Sequence, residues 1–325
     1  MRQERLAAFE KAKKAPKHHY IPVFYLKQWT SGLDGRLCEL SRPYKTVKPR
    51  RTGPDGTGYV RGLYTIPGVP EDKSNILESL YMRNTDDWAA RALRILLDPA
   101  YNNATIHPDL KAGWARFLYC MILRNPEYLD RASDLMASRM DAAIESVREI
   151  YDEKREADMP ESFDEFKAEY LADPFKMSPR RILHDLIDSQ RVISRITEMR
   201  WWTFTFQNAK HLLLTSDRPI VMTDGLGMPE AHIAMPISPR HLFFATNNLQ
   251  FHAQLASMKQ DKLVASINTR LSEQAVKYVY GFSDAQLRLV EKHLGKCLPA
   301  TPLETRSLAT VTVAGEESRH GEHGF

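Results

Sequence analysis

The spacing of hydrophobic residues changes along this chain, and that change limits the possible folds more than any other feature. Over residues 74–199 apolar residues recur at steps of three and four, which is typical of helices that bury one face. Over residues 201–246 they follow the period of two expected for strands, and short turns separate them. A helical stretch followed by a strand-rich stretch, without regular alternation, indicates an α+β fold.

We expect one large α+β domain over residues 18–299, which is long enough to bury a sizeable core. A basic lead, residues 1–17, precedes it, and a polar tail without periodicity, residues 300–325, is expected to be disordered. The domain is predicted to contain an N-terminal β-hairpin layer, a helical middle and a C-terminal antiparallel sheet with closing helices, in residues 18–70, 74–199 and 200–299.

The element boundaries follow from the same patterns. Helices are predicted in the middle over residues 74–96, 108–123, 126–156, 163–171 and 179–199. An antiparallel meander of four or five strands is predicted from residues 201–206, 211–215, 220–223, 232–237 and 241–246. Two closing helices are predicted at about 257–279 and 283–295, with Gly295 as a C-terminal cap.

Composition excludes several classes of protein. The chain is 43% hydrophobic and 26% charged, as in ordinary globular proteins, and it has no apolar run of about 20 residues that would span a membrane. Its three cysteines are widely spaced and form no CxxC pair, which indicates reduced thiols and not a zinc site. The basic N-terminus has no apolar stretch typical of a secretory signal, so we expect a cytoplasmic protein.

Charge is distributed unevenly. Residues 1–61 contain 14 Lys and Arg against 5 Asp and Glu, whereas residues 127–174 contain 6 against 15. This asymmetry is compatible with two solvated faces, which is the commoner situation, or with a surface that orients a polyanion.

The stretch from His211 to Thr223 places polar residues between two short apolar runs, as at the edge of a sheet. Ser216 and Asp217 are therefore the first candidates for the rim of a site. The structural alternative is that Asp217 bonds to the backbone of its own turn, with Ser216 beside it.

Several short motifs occur in a fixed order along the chain. They are His19-x-x-Pro22 with Tyr25-Leu26 and Trp29, then Glu78, Arg124-x-Pro126, Ser216-Asp217-x-Pro219 and Pro236-x-Ser238-Pro239. Together they resemble the domain-of-unknown-function family 4238 over roughly residues 18–285. A second glutamate of that family is replaced here by Thr85-Asp86-Asp87. The resemblance implies an α+β fold and no particular reaction.

The polar residues of these motifs suggest a hypothesis for catalysis. If they converge, Asp217 and Glu78 would hold Mg²⁺ or Mn²⁺, since hard divalent cations prefer carboxylate oxygens. His19 would act as general base on a water and Arg124 would bind a phosphate through two hydrogen bonds. Ser216 is a weaker candidate nucleophile, because no GxSxG motif surrounds it. The structural alternatives are a packed histidine for His19 and a buried pair of Glu78 with Arg124 that joins two helices.

The basic N-terminal hairpin supplies candidate phosphate contacts, with Tyr44 and Tyr59 available for stacking. The substrate-binding candidates in this hairpin are Arg42, Lys45, Arg50 and Arg51, with Arg36 and Lys48 nearby. The leading hypothesis is a metal-assisted hydrolase that acts on phosphodiesters of nucleic acid or of a nucleotide. The alternative is a non-enzymatic binding or regulatory module, in which the polar residues hold the fold and the basic face docks nucleic acid or a protein partner.

Overall fold

The computed structural model describes residues 15–32, 34–66, 69, 82–100, 106–156, 158–171, 187–222 and 225–297. Within them the α-helices are α1 (Val23–Leu26), α2 (Arg83–Leu96), α3 (Pro108–Leu123), α4 (Pro126–Lys154), α5 (Phe163–Tyr170), α6 (Gln190–Glu198), α7 (Leu249–Ser257), α8 (Gln260–Gln274) and α9 (Leu287–His293). Glu78, residues 1–14 of the basic lead and the tail from residue 300 lie outside the described residues.

The described strands form antiparallel sheets, so the fold is α+β, as the sequence predicts. They are β1 (Lys17–His19), β2 (Leu37–Ser41), β3 (Lys48–Thr52), β4 (Tyr59–Arg61), β5 (Arg200–Thr205), β6 (Thr215–Ser216), β7 (Val221–Met222), β8 (His232–Ser238), β9 (His241–Thr246) and β10 (Tyr278–Gly281). Strand β1 pairs with β4, and the two four-stranded sheets have the orders β3–β2–β10–β6 and β5–β9–β8–β7.

The predicted N-terminal hairpin forms from β2 and β3, but it does not stand alone as a layer. Strand β10, from the end of the chain, pairs with β2 and carries β6 on its other side. The prediction of a helix through residue 279 is therefore wrong at its end. Helix α8 stops at Gln274, and the aromatic and β-branched run Tyr278-Val279-Tyr280 forms a central strand, where such residues pack well.

The predicted meander is also wrong in one segment. Residues 211–215 do not join the β5–β9–β8–β7 sheet, and Thr215 begins strand β6 of the other sheet. Side chains bind the backbone just before that strand: the Asn268 amide oxygen accepts from the N–H of Leu214, and its amide nitrogen donates to the carbonyl of Leu212. These bonds satisfy backbone groups that a ladder would otherwise use.

Aromatic residues from distant parts of the chain meet in the main core. Trp114 of α3 packs against Phe243 of β9, which also contacts Trp201 of β5. The Tyr25 hydroxyl donates to the Pro236 carbonyl at 2.7 Å, and Trp29 Nε1 donates to the Leu213 carbonyl at 2.9 Å. The aromatic residues of the opening motif therefore fix the N-terminal segment against the C-terminal half.

Helices α3, α4 and α5 begin and end within two residues of the predicted positions. The starts predicted for the helices 74–96 and 179–199 lie outside the described residues, and the second prediction is wrong as one continuous helix, because residues 188 and 189 are not helical and α6 begins at Gln190. The His107 side chain caps α3, and Asn125 caps the 29-residue helix α4, each by accepting a backbone N–H two residues on. Helix α7 was not predicted from the sequence. Within the described part of the chain, no helix is both long and apolar enough to pass through a bilayer.

Candidate functional site

One face of the β3–β2–β10–β6 sheet carries two rows of side chains that run across the strands. Since alternate residues of a strand point to the same side, both rows belong to the same face. The inner row is Arg50, Glu39, Tyr280 and Thr215, and the outer row is Lys48, Ser41 and Tyr278. Directly paired side chains in such rows are within contact distance of each other.

The inner row contains the buried carboxylate of Glu39, which accepts hydrogen bonds from three donors. The side chain of Glu39 is 3% exposed and accepts from Arg50 Nε at 3.0 Å and from Arg50 Nη2 at 2.9 Å. The Thr57 hydroxyl also donates to Glu39 and lies 3.1 Å from the Tyr280 hydroxyl. Arg50 itself is 58% exposed, so its Nη1 group, which has no partner among the described residues, faces outward from a fixed guanidinium.

The outer row is the more exposed of the two, and the loop that leads into β4 reaches the neighbouring inner row through Thr57. Lys48 is exposed and Tyr278 is half-buried. One side of the Tyr278 ring stacks on Tyr280 with 6.1 Å between centroids. Burial raises the pKa of the Tyr278 hydroxyl and the Glu39 carboxylate raises it further, whereas Arg50 opposes them.

Strand β1 adds a further cation and a histidine at this place. The exposed Lys17 ammonium lies 4.5 Å from the centroid of the Tyr59 ring. The His19 ring lies 5.5 Å from the same ring, tilted by 59°. We call the exposed surface formed by Lys17, Lys48, Arg50, Tyr59 and Tyr278 the cationic–aromatic face.

His19 lies beside this face, and its surroundings favour the neutral imidazole. Burial lowers its pKa, and the cations Lys17 and Arg124 lower it further, although the Asp55 carbonyl, 3.4 Å from Nε2, opposes them. A neutral imidazole has a basic nitrogen, which fits the predicted general base. The assignment stays a prediction, because the reacting water and the substrate that it requires are not defined by the described residues.

Asp217 is buried, and the backbone uses its carboxylate. The two oxygens accept N–H donors from Val276, Lys277 and Tyr278 at 3.0, 2.6 and 3.0 Å, where the chain enters β10. Burial raises the pKa of Asp217 to about 6, and the three N–H donors act in the opposite direction. The role is structural, but it differs from the structural alternative, because Asp217 binds the backbone of a segment about 60 residues away and not that of its own turn.

Ser216, the candidate nucleophile, is fully buried in strand β6. Its hydroxyl donates to the Arg218 carbonyl at 2.8 Å and accepts the Arg218 N–H at 3.2 Å. Because this buried hydroxyl forms its hydrogen bonds within its own turn, it is not accessible to a substrate. Its geometry is that of a turn residue.

Arg124 is also buried and engaged. Its Nη1 donates to Asp86 Oδ1 at 3.0 Å, and its Nη2 contacts the sulfur of Met121. Burial acts against the charge of Arg124, but the Asp86 carboxylate outweighs burial and raises the pKa of the guanidinium. Asp86 belongs to the Thr85-Asp86-Asp87 segment, so an aspartate from that segment is the partner of the motif arginine.

The described residues alone do not form the predicted Mg²⁺ or Mn²⁺ site. Among them no group of three His, Cys, Asp or Glu side chains is placed to hold a metal ion. The Asp217 oxygens already accept backbone donors, and Glu78 lies outside the described part of the chain. No convergence of Glu78 with Asp217 is therefore defined, and the metal site stays a prediction.

The other basic candidates are dispersed. Arg42 donates to the carbonyls of Leu294 and Glu291 at the C-terminal end of α9, where a cation is favourable. Arg51 follows Arg50 in β3, and successive residues of a strand point to opposite sides, so Arg51 lies on the other side of the sheet. There it pairs with Asp34 at 2.7 Å. Lys45 is exposed in the β2–β3 turn. Of the four substrate-binding candidates in the hairpin, Arg50 alone contributes to the cationic–aromatic face.

Comparison with known proteins gives a family. Residues 17–285 match the family described as a protein of unknown function (DUF4238). The chain belongs to this family. Searches of curated proteins and of solved structures find no similar protein.

The DUF4238 motif residues described here are engaged within the fold. Tyr25 and Trp29 pack in the core, Arg124 pairs with Asp86, and Asp217 holds the turn before β10. The cationic–aromatic face lies within the matched region of DUF4238 but uses different residues.

Sequence reasoning missed two members of the face, Lys17 and Tyr278. Lys17 was assigned to the basic lead and not to a strand. Tyr278 was placed in a helix, because a short apolar run beside a helical pattern does not reveal its own conformation; the one signal for a strand is its aromatic and β-branched composition. Neither residue is adjacent in sequence to β3. Tyr278 reaches the sheet of β3 because β10 pairs with β2, whereas Lys17 lies in the separate β1–β4 sheet.

Proposed function

We propose that this DUF4238 protein is a nucleic-acid-binding module and that the cationic–aromatic face is its binding surface. The observation that carries the proposal is the position of three exposed cations, Lys17, Lys48 and Arg50, around two partly exposed tyrosine rings. Cations that hold phosphates beside aromatic rings that stack on bases are the usual composition of nucleic-acid surfaces.

The charges of the face are arranged for a polyanion. Arg50 is oriented by its two bonds to Glu39 and retains Nη1 for a phosphate oxygen. Lys17 and Lys48 are exposed on strands, where they act as point charges. The acidic neighbour Glu39 is buried beneath Arg50 and orients its guanidinium, while Lys17 and Lys48 supply the other positive charges of the face.

The binding hypothesis has more support than hydrolysis in the described residues. Ser216 bonds within its own turn, Asp217 accepts backbone donors from the segment before β10, and Arg124 has a carboxylate partner. These contacts favour the hypothesis in which the polar motif residues are a structural network and the basic face docks a partner. Nucleic acid is favoured over a protein partner by the combination of rings with cations.

The test is the salt dependence of binding. The full chain is titrated with a fluorescent single-stranded oligonucleotide between 50 and 300 mM salt, and affinity is read from anisotropy. Three phosphate contacts predict a slope of log affinity against log salt of about −2. The Lys17→Ala/Lys48→Ala double variant is expected to reduce the size of that slope to less than about 1. Lys262→Ala, on the exposed surface of α8, is the matched control and is expected to behave as the natural chain.

The same samples test the hydrolase hypothesis. Oligonucleotide length is followed with Mg²⁺, with Mn²⁺ and with EDTA. We expect an intact oligonucleotide in all three. Cleavage that requires a metal would show that the protein is an enzyme, and absence of binding at low salt would contradict the proposed function.

A further inference from the structure

The two tyrosines of the cationic–aromatic face differ from ordinary packed rings in what surrounds them. Tyr278 rests on the fully buried Tyr280, so its ring is supported from below while part of it remains exposed. Tyr59 has the Lys17 ammonium over its ring and the His19 ring at its side. Each ring is thus held in place by neighbours and still reaches solvent.

The cations lie on strands that adjoin these rings. Lys48 belongs to the same cross-strand row as Tyr278, with Ser41 between them. Lys17 contacts Tyr59 directly, and Arg50 lies on the same side of β3 as Lys48, in the cross-strand row of Tyr280, which neighbours Tyr278. A ligand that places a planar group on either tyrosine would therefore bring an attached anion near a cation.

We infer that the face selects single-stranded nucleic acid and stacks bases on Tyr59 and Tyr278. This inference rests on the proposed function and specifies its ligand. Bases in a duplex are stacked on each other and their flat faces are covered, whereas a single strand can unstack them onto aromatic side chains. A surface for duplex phosphates alone would gain nothing from exposed rings placed between its cations.

The hydroxyl groups of these tyrosines are not required for stacking, and this separates the inference from a structural role. Tyr59→Phe and Tyr278→Phe keep the ring and are expected to bind a single strand with less than about twofold change. Tyr59→Leu and Tyr278→Leu remove the ring and are expected to weaken it about tenfold each. The same substitutions are expected to leave duplex binding within about twofold.

The experiment compares one oligonucleotide sequence as a single strand and as a blunt duplex, at equal salt, with the natural chain and the four variants. Tighter binding of the single strand together with the loss in the Leu variants supports the inference. Equal binding of both forms, with no effect of the Leu variants, overturns the inference and leaves nucleic-acid binding intact. Binding of neither form overturns the proposed function itself.

A second measurement does not depend on variants that fold. The natural chain is irradiated with a single strand that contains 5-iodouracil, which crosslinks to side chains in close contact with the base, and the crosslinked peptides are identified by mass spectrometry. Crosslinks at Tyr59 or Tyr278 support the inference. Crosslinks confined to peptides without these residues overturn it.

Discussion

The motif residues and the cationic–aromatic face contain similar side-chain types but use them differently. In the motif set, Asp217, Ser216 and Arg124 are buried and their polar groups bond to the backbone or to Asp86. On the face, Lys17 and Lys48 are exposed, and Arg50 keeps part of its guanidinium free. A motif of reactive residue types can therefore have a purely structural role, and the exposure of its side chains distinguishes a structural role from a binding role.

The largest expected effect concerns Asp217. Asp217→Ala removes the acceptor of three backbone N–H groups at the start of β10, so the free energy of unfolding is expected to fall by roughly 3–5 kcal/mol. Asp217→Asn retains one acceptor oxygen and is expected to lose less. Urea unfolding followed by tryptophan fluorescence gives both values. An Asp217→Ala midpoint equal to that of the natural chain would mean that these bonds do not hold the fold.

The next effect concerns pH and His18, which is buried beside the face and accepts the Tyr64 N–H at Nδ1. Burial, with a smaller effect of His19, lowers the pKa of His18 from 6.5 to about 4. Between these values the unfolded chain takes up a proton that the folded chain does not. The stabilisation is therefore complete above pH 6.5 and is lost as the pH falls toward 4, by up to about 3 kcal/mol.

The measurement for His18 is the unfolding free energy at pH 7, 6, 5 and 4, in the natural chain and in His18→Asn. Asparagine offers an acceptor oxygen near the position of Nδ1 and does not titrate, so the difference between the two curves isolates the histidine. Parallel curves over this range would contradict the assignment.

A smaller effect is expected at the Arg124–Asp86 pair, because the Asp86 side chain is 25% exposed and water can solvate it in part. Arg124→Met is expected to lower the free energy of unfolding by about 2–3 kcal/mol. Adding Asp86→Leu removes the carboxylate left without a partner and is expected to restore at least about 1 kcal/mol. If the double variant is less stable than Arg124→Met alone, the two residues do not act as a pair.

Much of the fold followed from the sequence. Helix α3 occupies the predicted residues 108–123 because Pro108 and the His107 cap begin it and its apolar stripe is long. Strand β10 was missed because a four-residue apolar run next to a helix does not reveal its own conformation, and Ala275 prolongs the helical pattern.

Less of the candidate site followed from the sequence. Asp217 and Ser216 are polar residues between apolar runs, and such a pattern does not distinguish a rim from a buried turn. The face could not be predicted as a unit, since strand register joins only Lys48 to Tyr278 and Lys17 lies in a second sheet. Arg50 was identified from the charge of the hairpin, because that charge is local in sequence.

The most direct test of the account is to map where nucleic acid lies on the natural chain. Exposed lysines are acetylated with and without a saturating single-stranded oligonucleotide, and the extent of reaction at each is measured by mass spectrometry. The account predicts that Lys17 and Lys48 are protected several-fold, whereas the exposed Lys262 and Lys292 of helices α8 and α9 react as in the free protein. Protection of Lys262 or Lys292, with Lys17 and Lys48 reacting at their free rates, would contradict it.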